Sequence, residues 1–204
     1  MAQGSAAAPA NPAAALQALV EGNARYASNQ PRRRDFSARR VALAQGQSPF
    51  AAVLGCADSR VAPELAFDQN PGDLFVVRVA GNFVTAEGLG SLEFGAAVLG
   101  TKLILVLGHT SCGAVNATVD ALRQGNALPG SIAGLVTAMK PGIEPAMAGP
   151  GGHELTRRAL VSNVRHNVRA LETASPILAG LISRGELAVR GGLYDLATGR
   201  VELV

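Results

Sequence analysis

The sequence predicts an α/β protein: a mainly parallel β-sheet with an antiparallel edge strand, flanked by helices, plus an N-terminal helical arm. Three observations predict it. The apolar runs at residues 50–54, 74–79 and 103–107 are too short for helices and are bounded by turn residues. The third run leads through a short loop into a helical pattern at 112–123, the strand-loop-helix unit from which parallel sheets are built. Near the end, residues 187–194 and 200–204 flank the turn 195–199 as a hairpin, which supplies the antiparallel edge.

In chain order, residues 13–27 place Ala15, Leu16, Leu19, Val20 and Tyr26 at mostly helical spacing behind Asn11-Pro12, a cap and first turn. Residues 41–45 predict a second short helix, closed by Gly46-Gln47-Ser48-Pro49, which turns the chain into the first strand. The turn Asn70-Pro71-Gly72-Asp73 introduces the second strand, and 86–99 reads as a glycine-bearing helix before the third. Residues 153–175 predict a long amphipathic helix with Leu155, Leu160, Val164, Val168 and Leu171 on one face.

The 204 residues fit one domain, and 48% hydrophobic content supplies a core, while 16% charged residues argue against a disordered chain. No internal repeat or second domain is evident, so 1–204 reads as a single domain, with 1–12 a flexible terminus and 13–45 the helical arm. The net charge of +3 is too weak to argue for nucleic acid. Its excess sits at Arg32, Arg33, Arg34, Arg39 and Arg40, a stretch expected to be a solvated connection or subunit contact. No apolar run approaches the ~20 residues of a spanning helix, so no membrane partner is expected. The expectation is a soluble protein, cytoplasmic by default, or periplasmic if the chain is the mature part of an exported precursor.

Only two cysteines occur, and His109 stands three residues before the second. Cys56 follows the first strand and His109-Thr110-Ser111-Cys112 follows the third, so two strand ends bring thiol and imidazole toward one point, outside the carboxyl ends of the sheet. These are ligands zinc prefers, and three protein ligands leave a fourth position for water. Two buried core thiols, or a disulfide in an oxidising compartment, are the alternatives. Asp58 and Arg60 lie two and four residues beyond Cys56. A carboxylate gripped by a guanidinium fork stays ionised and fixed in direction, so it can accept a hydrogen bond from the hydroxide that zinc makes available near neutral pH. A loop-stabilising pair is the alternative for these two. Neither a GxGxxG fingerprint after a strand nor a GxxxxGK[ST] loop is present, which leaves nucleotide binding without support.

Cys56-Ala57-Asp58-Ser59-Arg60 together with Gly108-His109-Thr110-Ser111-Cys112-Gly113 resembles the CxDSR and HxxCG motifs of the β-class carbonic anhydrases. The similarity runs from about Ala15 to the end of the chain and includes Glu21 to Tyr26 and Asp73 to Arg78. The resemblance implies one zinc ion per chain on Cys56, His109 and Cys112, with water or Asp58 as fourth ligand, and reversible hydration of carbon dioxide to bicarbonate and a proton. It further implies a homodimer or dimer of dimers, the N-terminal helix clasping the neighbouring subunit. Gln47 matches the glutamine that holds substrate oxygen from across the dimer interface, and Gly113 the glycine whose backbone N–H does similar work. Phe75, Ala80, Phe94 and Val61 match apolar pocket positions. In the branch shut by bicarbonate at a noncatalytic site, a tryptophan stands three residues before the first cysteine. Here that position is Val53, although Arg78 and Tyr194 resemble the other two members of the triad, so an open site with Asp58 paired to Arg60 is expected. The rivals are a relative that hydrolyses carbon disulfide or carbonyl sulfide, and a zinc sensor without turnover. His153 and His166 are candidate proton relays but read as surface histidines, and Arg157, Arg158, Arg165 and Arg169 as a solvated helix face.

Overall fold

The structure, a computed structural model, describes residues 8–204, so the expectation of a flexible terminus at 1–12 falls largely outside the described residues. Five strands, β1 (Ala51–Gly55), β2 (Leu74–Arg78), β3 (Leu103–His109), β4 (Ala188–Tyr194) and β5 (Val201–Leu203), form one sheet in the order β2-β1-β3-β4-β5. The first four are mutually parallel, and β5 runs antiparallel to β4 at the edge, as predicted. Residues 195–199 make the predicted turn between β4 and β5.

Strand alternation sorts the core onto two faces. Ala51, Val53, Leu103, Leu105 and Leu107 meet Ala15 and Leu19 of α1 (Pro12–Ala27) and Ala66 of α3 (Pro63–Ala66). Ala52, Leu54, Ile104, Val106 and Val189 meet α4 (Ala86–Ala97), α7 (His153–Thr173) and α8 (Pro176–Ser183) through Leu92, Val164, Leu171 and Leu178. A third cluster at the carboxyl end of the sheet combines Cys56 and Cys112 with α5 (Gly113–Gln124), α6 (Ile132–Ile143) and α7.

Asn11 caps α1 by accepting the Ala14 N–H at 2.9 Å, with Pro12 in the first turn. The buried stripe Ala15, Leu19, Gly22, Asn23 lies on the chain's own sheet, with Gly22 so close to the Phe67 carbonyl that a Cβ would overlap it. Asn23 donates to Ala66 O at 2.9 Å and Gly199 O at 2.8 Å and accepts from Val201 N at 2.8 Å. The face of α1 that carries this stripe is therefore committed within the chain, and a clasp on a neighbour falls to its exposed face.

α2 (Phe36–Leu43) begins five residues earlier than its predicted 41–45 start, because Asp35 caps it, accepting from Ser37 N at 2.9 Å. The basic stretch around it is solvated at Arg32, Arg33 and Arg40, as expected, but not at Arg34 and Arg39. Arg34 pairs with Asp68 and Arg39 with Asp73, while Arg25 joins Asp68 at 2.6 Å, so the connection is fastened to the loop between α3 and β2.

Two close approaches fix α7 on the sheet. A Cβ on either Gly108 of β3 or Gly191 of β4 would come within 2.7 Å of a Val164 methyl, so the two glycines form a notch that holds this side chain. No helix among the described residues is long and apolar enough to cross a membrane.

Candidate metal centre

β1 and β3 are neighbours in register, Gly55 level with Leu107, so the segments after them open at the same end of the sheet. Cys56 follows β1 directly. β3 runs two residues further to His109, after which Ser111, in left-handed conformation at φ 56°, turns the chain so that Cys112 heads α5. A non-glycine residue in that region carries a backbone cost of order 1 kcal/mol, and here it brings the second thiol back toward the imidazole.

The ligand atoms of Cys56, His109 and Cys112 all lie within 4.8 Å of one another, all three residues are buried, and the two sulfurs are 4.0 Å apart. Both cysteines are free thiols, which removes the disulfide alternative. His109 Nδ1 donates to the Thr110 carbonyl at 2.9 Å, which leaves Nε2 as the bare nitrogen. That Nε2 is buried without a hydrogen-bond partner. A buried, unpartnered imidazole nitrogen beside two sulfurs is costly as a core arrangement and fits a soft or borderline metal ion.

In the metal-free chain the same three groups share protons that a metal would displace on binding. The hydrogen bond shared with Cys112 lowers the Cys56 thiol well below its ordinary value, against the opposing cost of burial. Cys112 is pushed up by that same bond and by burial, and keeps its proton. Burial opposes charge on His109, but the neighbouring Cys56 sulfur outweighs it and holds the imidazole above its ordinary value.

Asp58 faces this cluster. Arg60 grips it with Nε to Oδ1 at 2.9 Å and a terminal nitrogen to Oδ2 at 2.7 Å, and the Arg60 backbone N–H adds a third bond at 2.9 Å. The grip holds the carboxyl well below the usual carboxylate range. Asp58 Oδ2 lies 3.8 Å from His109 Nε2, and Arg60 also reaches the Ser111 carbonyl at 3.4 Å, tying the two loops together.

Sequence reasoning missed several supports. Arg78, at the end of β2, donates to the carbonyls of Cys56 at 2.8 Å and Asp58 at 2.6 Å and so holds the loop from beneath. The Gly81 N–H points at the Cys56 sulfur at 3.3 Å. The register of β2 on β1 was the available signal for Arg78, since it stands level with Gly55. Tyr194 bonds Tyr26 at 3.2 Å, and Val53 is sealed in the core, so neither joins Arg78 in a shared polar group.

The remaining predicted positions scatter. Gly113, the first residue of α5, is exposed with open space around it, and Ala80 is half-buried next to Gly81. Val61 is 1% exposed beneath the Asp58 loop, its N–H donating to the Asp58 carbonyl. Phe75 and Phe94 pack together at 6.5 Å between ring centroids on β2 and α4, with Phe94 48% exposed. Gln47 is exposed at the opposite end of β1, which alone separates it from Cys56 by roughly 16 Å at ~3.3 Å per residue. His153 is exposed and His166 half-buried.

Comparison with known proteins places the chain in a family. A family model described as carbonic anhydrase matches residues 51–201. A carbonic anhydrase of Mycolicibacterium smegmatis is 42% identical over 194 residues, covering 95% of this chain and 93% of its own length. Carbonic anhydrase 2 of Mycobacterium tuberculosis is 40% identical with the same coverage. Among solved structures, a tetrameric β-carbonic anhydrase of Sordaria macrospora superposes with a TM-score of 0.72 at 26% identity, over 81% of this chain and 85% of that one.

Proposed function

The chain belongs to the β-carbonic anhydrase family, and from that membership we propose that one zinc ion per chain, held by Cys56, His109 and Cys112, serves the reversible hydration of carbon dioxide to bicarbonate and a proton. The observation that carries this reading is His109 Nε2, buried and without a partner beside two thiols, with an arginine-gripped carboxylate facing it. When bound, zinc supplies the acidity that ionises a water near neutral pH.

The chain's own residues do the rest. Asp58 stays ionised because Arg60 occupies both its oxygens, and its Oδ2 accepts the hydrogen bond that aims the attacking water. The same grip keeps Asp58 away from the ligand set, which supports an open site rather than one closed by Asp58 as fourth ligand. The exposed Gly113 N–H, at the amino end of α5, donates to the oxygen on which negative charge grows. Half-buried Ala80 supplies apolar surface beside the cluster, which suits a small nonpolar substrate, while Val61, sealed beneath the Asp58 loop, supports that loop from the core.

Gln47 cannot serve its own cluster across the length of β1, so its part, with that of Phe75 and Phe94, is played at the site of a second copy. A homodimer or dimer of dimers follows, with exposed Phe36, Val41, Phe94 and Val98 as apolar contact surface. The test is stopped-flow carbon dioxide hydration with zinc quantified on the same sample. Fast turnover at about one zinc per chain, and loss of both in Cys56→Ser, is the expected result. Full zinc occupancy without hydration would overturn the reaction, and hydration by zinc-free protein would overturn the metal.

A further inference from the structure

Two buried asparagines one turn apart on α7 connect that helix to the metal end of the sheet. Asn163 and Asn167 are 1% and 3% exposed. The Asn163 side-chain amide donates to the Gly81 carbonyl at 2.9 Å. Asn167 accepts from Val84 N at 2.8 Å and braces Asn163 by donating to its carbonyl at 2.8 Å and its Oδ1 at 3.3 Å. The segment they hold is the loop between β2 and α4, and it contains the Gly81 N–H that donates to Cys56 Sγ.

Gly81 is clamped through both of its peptide units, at its carbonyl by α7 and at its N–H by the sulfur. Its φ is +89°, and a Cβ there would collide with the Met139 sulfur, so only glycine brings the N–H to this place. A hydrogen bond to a ligating sulfur withdraws electron density from it and leaves more positive charge on the metal.

We propose that Asn163 is a positioning residue for the metal centre, acting through the Gly81 N–H on the Cys56 sulfur, with Asn167 as its brace. This inference rests on the zinc reading above. Losing the Asn163 amide frees the Gly81 carbonyl, lets the loop rotate, and weakens the N–H to sulfur bond, so the sulfur becomes more electron-rich.

The experiment replaces zinc with Co2+ in the full-length protein and reads the sulfur-to-cobalt charge-transfer band, alongside the rate at which a chelator removes zinc. In Asn163→Ala the band is expected to move to lower energy and zinc release to change by ~10–100-fold. Leu178→Ala, a cavity variant in the core layer that α7 shares with α4 and α8, serves as the control for lost stability and is expected to leave the band in place. A band and release rate in Asn163→Ala equal to those of the parent would overturn the proposal, as would an equal shift in Leu178→Ala. If Asn163→Ala does not fold, Asn167→Ala carries the test: a smaller shift of the same sign supports it, and a superimposable spectrum overturns it. Failure of the parent protein to take up cobalt would instead sink the metal reading and this inference with it.

Discussion

Asp58 and Asp68 stand ten residues apart, and each is paired with arginine, yet their surroundings are opposite. Asp58 pairs with an arginine two residues away in its own loop, with its side chain 16% exposed and that of Arg60 55% exposed. Asp68 is fully buried and draws in Arg25 from α1 and Arg34 from the basic connection, with the Arg32 N–H also at 3.2 Å. A pair made within one short loop depends on no other element, so it can be aimed at a site without supporting the fold. A carboxylate that ties two distant segments to its own loop is a fastening. Under the proposed function, the sequence separation and solvent exposure of the partners, rather than the type of ion pair, set the two apart.

The largest effect that would sharpen this contrast is on turnover. Asp58→Ala is expected to lose roughly 10²–10⁴-fold in carbon dioxide hydration while keeping its zinc and melting temperature. Co-loss of fold and activity would erase the distinction. Next is Asp68→Ala, which strands buried guanidinium groups and is expected to cost about 3 kcal/mol in urea unfolding, with turnover per folded molecule retained at saturating stability. If Asp68→Ala instead folds normally, the fastening is not where the stability lies.

The smallest effect concerns acid. Arg60 lowers the Asp58 carboxyl, so the pair's stabilisation is present above the unfolded value of ~3.9 and fades as pH falls through the lower folded value. With Arg60 half in solvent, that stabilisation is slight. Carboxyl NMR of the metal-free protein should place the Asp58 midpoint below ~3.9, and Arg60→Ala should return it toward that value. The same substitution should lower stability slightly above pH ~5, where the pair's contribution is fully present, and make no difference once pH falls below the folded Asp58 value.

The site-bearing half of the fold was legible because its signals are local. Short apolar runs ending in Cys56 and His109 fix both the strands and the place where they deliver ligands, and Asp58 and Arg60 travel with Cys56 on the same loop. α6 escaped because Gly134, Pro141 and Gly142 break a helical pattern of low propensity, and packing against α5 and α7 restores the helix. α2 was misplaced because the cap signal of Asp35 was overlooked in a run of arginines. The partners of those arginines, Asp68 and Asp73, are more than thirty residues away, and Asn163 is eighty-two residues from Gly81. Contacts of that separation leave no periodic trace in the sequence.

The notch of Gly108 and Gly191 bears on how the molecule breathes. With a Val164 methyl pressed against the backbone of each strand, α7 cannot slide along the sheet or roll on it without lifting off both strands at once. Its central amides should therefore exchange with solvent deuterium only through the opening that unfolds β3 and β4 as well, so the helix, the two strands and the end of β3 that bears His109 form a single foldon. Fraying at the exposed arm and at the hairpin tip can proceed beneath that threshold, leaving the imaging of slow exchange to outline the rigid part of the protein.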